Sequence, residues 1–155
     1  KCFQQIIQVS GRAGRKDQEG NVVIQTFQPD HIVFKNCQKY SFKNFYDQEI
    51  KRRRKFEHPP FSNFISLVIT SISNTKSLQF SNFLSNNLKK NFKHAGIFGP
   101  APAVISMKNN KYRYRVLIKL KKNYALQSNV KEFIKKFKVP SEVKLYIDVD
   151  PISFL

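Results

Sequence analysis

Apolar and polar positions alternate along the chain in short stretches, and their spacing sorts them into elements. Phe3, Ile6 and Ile7 stand at i, i+3 and i+4, the buried face of a short helix that runs into Gly11-Arg12-Ala13-Gly14-Arg15. Lys16–Gly20 is polar and turn-like, and Asn21–Thr26 (NVVIQT) reads as a buried strand. From Ser41 a second helix is predicted, with Phe42, Phe45, Tyr46 and Ile50 on one stripe. Asp47–Lys51 and Glu49–Arg53 are i, i+4 pairs of favourable order on it. It must end before Pro59-Pro60, because proline lacks the N–H and restricts the residue before it. A domain boundary is expected there.

Beyond the prolines, Phe61–Ser73 is strand-like, and Ser73 or Asn74 caps a helix carrying Leu78, Phe83, Leu84, Leu88 and Phe92. Gly99-Pro100 is expected to break the chain. Ala103–Met107 and Tyr112–Leu120 flank the turn Lys108-Asn109-Asn110-Lys111 as a hairpin. Leu126, Val130, Phe133, Ile134 and Phe137 mark a further helix, Pro140 ends it, and Val143–Val149 forms a last strand. The order β-α-β-β-α-β predicts an α/β (α+β) chain whose larger part is a split βαβ, ferredoxin-like sandwich.

Composition adds a strong charge to this picture. The 155 residues carry 28 Lys+Arg against 10 Asp+Glu, a formal balance of +18. Yet 41% of the chain is hydrophobic, with 15 Phe and 6 Tyr, so it is no disordered basic tail. The longest apolar run, around Phe64–Ile72, is about half of a bilayer span, so no membrane helix and no membrane partner are expected. Anionic partners such as nucleic acid explain the charge. So does codon bias, since most of the basic residues are Lys, which with Asn, Ile and Phe has A/T-rich codons. The excess is uneven: Lys1–Pro60 has 12 basic and 6 acidic residues, Phe61–Leu155 has 16 and 4. Cys2 and Cys37 have no partner at metal-ligand spacing, and with no secretory signal they are expected to stay reduced, in a cytoplasmic setting. His31, His58 and His94 are scattered, and no Ser/His/Asp or Cys/His grouping stands out.

The octet Gln8-Val9-Ser10-Gly11-Arg12-Ala13-Gly14-Arg15 carries the chemistry. Its two glycines admit close backbone approach, and two arginines three apart can address one anion. Arginine suits that task because its planar fork donates several hydrogen bonds to phosphate oxygens and keeps its charge. An arginine at a nucleotide γ-phosphate raises phosphoryl-transfer rates by roughly 10³–10⁵. The octet QVSGRAGR resembles motif VI of superfamily 2 helicases, at the cleft between two RecA-like lobes. GNVVIQTFQPDH, then Tyr40, Phe45-Tyr46 and Glu49, then His58-Pro59-Pro60-Phe61, are similar to the primosomal protein N′ (PriA) family of replication-restart helicases. Gly99-Pro100-Ala101-Pro102-Ala103, Tyr112-Arg113 and Asp148-Val149-Asp150-Pro151 follow in that family's order, so the resemblance covers essentially the whole chain.

The resemblance implies a C-terminal fragment of an ATP-dependent 3′→5′ DNA helicase, bacterial and cytoplasmic. Such a helicase recognises stalled or branched forks and helps reload the replicative helicase. It implies three segments: 1–38 as the end of the second helicase lobe, 39–60 as a helical linker, and 61–155 as a DNA-binding-type domain. Arg12 and Arg15 would contact the γ-phosphate of ATP, one as the arginine finger, while Gln8, Gly11 and Gly14 would serve ATP binding and lobe coupling. ATP with Mg²⁺ would be held mainly by a phosphate-binding loop and an Asp-Glu pair that these residues do not include. The family's zinc-binding cysteines are not among them either. The fragment alone is therefore expected to be inactive. Implied partners are forked and single-stranded DNA, single-stranded-DNA-binding protein and other primosome proteins. The alternative is a stand-alone basic nucleic-acid-binding module without ATPase activity.

Other candidate sites keep two readings each. Arg52, Arg53 and Arg54 can grip phosphates or form the solvated end of a helix, where positive charge suits the macrodipole. Lys108, Lys111, Arg113 and Arg115 lie on or beside the hairpin, interleaved with Tyr112 and Tyr114. Alternation puts the arginines on one strand face and the tyrosines on the other, which fits DNA contact or a plain strand with tyrosines in the core. Asp148 and Asp150 would share a face and cap or salt-bridge the end of the last strand, in competition with DNA for Arg113 or Arg115. No residue is assigned to a metal.

Overall fold

The computed structural model describes residues 2–13 and 20–152, which divide into two units, Lys1–Lys55 and Phe56–Leu155. Among its described residues the first unit has three helices, α1 (Cys2–Ser10), α2 (Ile32–Gln38) and α3 (Phe42–Lys55). Phe3, Val33 and Cys37 are buried together, flanked by Ile6, Ile7, Ile32 and Phe45, and the Phe3 and Phe45 rings stack with centroids 4.6 Å apart. Thus α3, expected as a linker helix, packs on α1. Its stripe is only partly covered, since Phe42 and Tyr46 remain exposed. Helix α2 escapes a reading based on periodicity because it is only seven residues long. What starts it is the His31 side chain, whose Nδ1 accepts from the Val33 N–H at 3.3 Å.

Residues 21–26 are no strand. Val22, Val23 and Ile24 are exposed, Val23 at 93%, and no described strand pairs with them. An apolar extended run becomes a buried strand only where neighbours supply both ladder hydrogen bonds and a packed face. The first unit offers neither among its described residues.

The second unit contains β1 (Ser62–Ser71), α4 (Asn74–Asn91), β2 (Gly96–Lys108), β3 (Lys111–Lys121), α5 (Tyr124–Lys135) and β4 (Val143–Val149). The sheet order is β2-β3-β1-β4 with every neighbouring pair antiparallel, so β3 is inserted between β1 and β2. That is the split βαβ arrangement read from the sequence. Ile65, Leu67 and Ile69 of β1 meet Val116, Ile118 and Leu120 of β3 in a core closed by Phe80, Leu84 and Leu88 of α4, Val130 and Ile134 of α5 and Val143 of β4. Burying each such side chain contributes about 1.5–3 kcal/mol relative to leaving it in water.

Helix α4 buries Leu84 and Leu88 as expected, with Phe92 packed against the core, but the rest of the covered stripe differs. Leu78 and Phe83 are exposed, whereas Ser77, Ser81 and Ser85 are fully covered beside Phe80, Leu84 and Leu88. The serines fit because each hydroxyl is hydrogen-bonded: Ser77 to the Asn74 carbonyl at 2.8 Å, Ser81 to that of Ser77 at 2.6 Å, Ser85 to that of Gly99 at 3.1 Å. A small side chain with a satisfied hydroxyl lets the helix lie close to the sheet. Ser73 caps α4 by accepting from the Lys76 N–H, and Asn123 caps α5 by accepting from that of Leu126.

The hairpin between β2 and β3 turns on Asn109 (φ 52°) and Asn110 (φ 56°), both left-handed, as a two-residue type I′ connection requires. Gly99-Pro100, expected as a break, lies inside β2. Phe98 pairs with Leu117 and Ala101 with Arg115, so β2 fits one extra residue against β3 as a bulge. Glycine is required there: Gly99 has φ 96°, and a Cβ would stand 2.6 Å from the Arg115 carbonyl oxygen. At Gly96 a Cβ would meet the movable Phe98 ring at 3.0 Å and, at ordinary contact distance, the Lys119 Cβ at 3.4 Å. Gly99→Ala is accordingly expected to cost the second unit about 2–3 kcal/mol, and Gly96→Ala less than about 1 kcal/mol. Urea unfolding of the two variants side by side checks the ranking, and equal midpoints would refute it.

Candidate nucleotide and nucleic-acid sites

Three groups of basic residues were legible in the sequence, and the fold treats each differently. The first lies at the end of α1. The N–H groups of Gly11, Arg12 and Ala13 donate to the carbonyls of Ile7, Val9 and Ser10 at 2.9, 3.0 and 3.1 Å, tightening the helix end into a turn. Arg12 stands exposed there and makes no ion pair among the described residues; Gln8 is exposed on the preceding turn. A Cβ at Gly11 would approach only the Ile7 and Gln8 carbonyls, at 3.4 and 3.9 Å, which is ordinary contact. No contact within the described chain thus demands glycine at that position. Gly14 and Arg15 lie outside the described residues.

The second group, at the C-terminal end of α3, turns inward on its own helix. Glu49 receives Arg52 Nη2 at 2.8 Å and Arg53 Nε at 2.9 Å. Partial burial pushes the Glu49 carboxyl up, but the hydrogen bonds and charges of Arg52 and Arg53 outweigh it and hold the group below the usual carboxylate range. The phosphate-gripping reading of Arg52 and Arg53 therefore competes with an ion pair already formed.

The third group stands on the face of the sheet opposite α4 and α5. Even-numbered residues of β1 and β4 and odd-numbered residues of β3 point to it, and the register arranges them in rows. Lys144, Thr70 and Arg113 form one row. Tyr146, Val68, Arg115 and Ala101 form the next, and Asp148, Ser66, Leu117 and Phe98 the third. Tyr112 and Tyr114 lie on the helix side, where the Tyr114 hydroxyl donates to Asn74 Oδ1 at 2.8 Å. The exposed aromatic side chains that share a face with the arginines are instead Tyr146 and Phe98, each 55% exposed. Both were missed by reading the hairpin alone; the alternation in Val143–Val149 held the signal for Tyr146. Lys108 and Lys111 pair with each other across the hairpin turn.

Burial and the neighbouring Arg113 push the Arg115 guanidinium down from its ordinary value, and Asp148 opposes them. Arg113 also donates from Nη1 to the Ile105 carbonyl at 3.2 Å. Lys119 is taken up near the edge of this face, with Nζ 2.7 Å from the Phe56 carbonyl oxygen and 3.5 Å from Glu57. Asp148 and Asp150 do not share a role or a face. Asp150 (φ 51°) lies past the strand and accepts from the Phe64 N–H at 2.9 Å and from Asn63 Nδ2 at 3.0 Å, clasping the end of β4 to β1. Among the described residues no three His, Cys, Asp or Glu side chains are grouped to hold a metal ion. Burial and, secondarily, Cys2 push the Cys37 thiol up, away from the thiolate a metal would need.

A family model described as the primosomal protein N C-terminal domain matches residues 54–152. Over 155 residues and 99% of its length, the chain is 37% identical to the replication restart protein PriA of Rickettsia typhi, covering 24% of that protein. It is 36% identical to the protein of the same name from Synechocystis sp., over 97% of this chain and 18% of the relative. With that of Bacillus subtilis it shares 30% identity, over 100% of this chain and 20% of the relative. The chain thus spans a quarter or less of the length of these relatives.

The Glu49 cluster has a pH signature. Its carboxyl is lower in the folded than in the unfolded chain, so its contribution is complete above the ordinary carboxylate range and fades as pH falls through the folded value. Glu49→Gln is expected to destabilise the first unit near neutral pH, with the gap from the parent chain narrowing in acid. Urea midpoints taken from pH 7 down to pH 3 test this, and a gap that is constant with pH would contradict it.

Proposed function

Because the chain belongs to the primosomal protein N C-terminal domain family, we propose that it is the C-terminal part of a replication restart protein acting as an ATP-dependent 3′→5′ DNA helicase on stalled or branched forks. The observation that carries this reading is similarity to replication restart proteins along essentially the whole chain, the arginine loop included. Arg12, exposed at a tightened helix end and without an ion pair among the described residues, supports it, because such a group can address an anion brought from outside the unit.

In this reading Arg12 and Arg15 reach the terminal phosphate of a nucleotide held by the other helicase lobe. ATP with Mg²⁺ supplies the phosphoryl transfer that drives unwinding. The task of this chain is to place two permanent positive charges where negative charge develops, without moving a proton. Gly11 and Gly14 serve nucleotide binding and lobe coupling in this reading, with Gln8 on the last turns of α1 coupling nucleotide state to lobe position. In this reading zinc would be held by other parts of the longer protein. The second unit contributes DNA contacts through Arg113 and Arg115, with Lys108 and Lys111 at the hairpin end. Single-stranded-DNA-binding protein and other primosome components are the partners that accompany this role.

In the full-length protein, Arg12→Ala and Arg15→Ala are each expected to lower DNA-stimulated ATP hydrolysis by roughly 10³-fold or more, leaving forked-DNA affinity within a few-fold. Steady-state ATPase assays beside DNA titrations measure both. Normal turnover by both variants would remove the arginine loop from catalysis and leave the non-enzymatic DNA-binding reading.

A further inference from the structure

On the open sheet face, β1 contributes three small side chains, Ser66, Val68 and Thr70, between the longer ones of β4 and β3. Thr70 is the central strand's member of the row Lys144–Thr70–Arg113. It is 6% exposed, and its Oγ1 is buried without a hydrogen-bond partner among the described residues. A buried hydroxyl left unpaired is unfavourable, and native interiors seldom keep one. This one is bracketed by cations on the two adjacent strands, each about 4.8 Å away in the sheet. Both neighbours have long, flexible stems, so they can swing aside and leave the hydroxyl and two positive groups converging on one point. Hydroxyl, guanidinium and ammonium together form a donor set for a phosphate oxygen cluster.

The next row along the same face lies about 7 Å farther on. It presents the half-exposed Tyr146 ring with Arg115, and Phe98 follows in the third row. Exposed rings beside a phosphate-sized cationic site distinguish between nucleic-acid forms. A duplex offers its phosphates but hides its base faces, whereas a single strand offers both. Asp148, in the third row beside Arg115, is the one acidic member of these rows and weakens the field at that end. The cationic end is therefore the row of Thr70.

We propose that this open face is a single-stranded DNA track. One backbone phosphate is held by Lys144, Thr70 and Arg113, and an unpaired base stacks on Tyr146. The track rests on the DNA-handling part of the function proposed above and not on its ATPase part.

The test uses the 155-residue chain and a fluorescein-labelled thymidine oligonucleotide, with affinity read by anisotropy over a salt series. Lys144→Ala and Arg113→Ala are each expected to weaken binding several-fold and to reduce the salt slope by about 1. Tyr146→Ala should weaken binding with the slope unchanged, and Tyr146→Phe should restore it. Thr70→Val should bind more weakly while unfolding at equal or higher urea, because it removes a buried hydroxyl that has no partner among the described residues. Asp148→Asn should bind more tightly. Lys90→Ala, an equal charge change on α4, serves as the control and should match the parent chain. Circular dichroism confirms folding, and Lys144→Gln replaces Lys144→Ala if that variant fails. Binding that Lys90→Ala weakens as much as Lys144→Ala, with Tyr146→Ala silent, overturns the track and leaves diffuse charge. A chain that binds neither single-stranded nor forked DNA at low salt overturns the track together with the DNA-handling reading of this unit.

Discussion

The second unit depends on the ladder that joins β1 to β3, ten residues in unbroken register from Ser62 opposite Lys121 to Ser71 opposite Tyr112. It fixes a parity. Ile65, Leu67, Ile69, Val116, Ile118 and Leu120 go to the helix side, and burying them there outweighs any register that would expose them. The same parity sends Arg113, Arg115 and Thr70 to the other side. A slip of one residue would turn the arginines into the core and the isoleucines into water. The candidate DNA surface is in this sense a by-product of core packing, and its geometry is as firm as the core itself.

The two units organise positive charge in different ways. In the first, a helix end offers Arg12 without an ion pair among the described residues, while Arg52 and Arg53 both pair with Glu49 on their own helix. In the second, charge is spread over a flat face and graded along it, from the Lys144–Arg113 row to the row of Asp148. A loop that places one or two arginines suits a compact anion. A graded surface with exposed rings suits a polymer of phosphates and bases. The formal balance of +18 is therefore at least two features with separate chemistry.

Sequence patterning failed where burial did not follow hydrophobicity. In α4 the covered stripe includes three serines, because satisfied hydroxyls and small volume let helix and sheet approach. In 21–26 an apolar run lacks the neighbours that would make it a strand. At Gly99-Pro100 the turn-forming residues signalled a bulge inside a strand, a distinction decided by a partner 16 residues away, Arg115. Each failure has one cause: the outcome depended on a neighbour distant in sequence.

What the sequence determined by itself is local or periodic. Apolar spacing gave the element order of the second unit, Ser73 or Asn74 was legible as the cap of α4, and Asn109-Asn110 specified the turn. The octet around Gly11 carried its own chemical signature. Only the tertiary structure decided which residues share a surface. It separated Arg113 from Tyr112 and Tyr114, set it in one row with Lys144 and Thr70, assigned Asp150 to a strand clasp, and placed Tyr146 in the same row as Arg115. Pairing between strands is a long-range choice made by the total burial of both faces, and no window of the chain contains that sum.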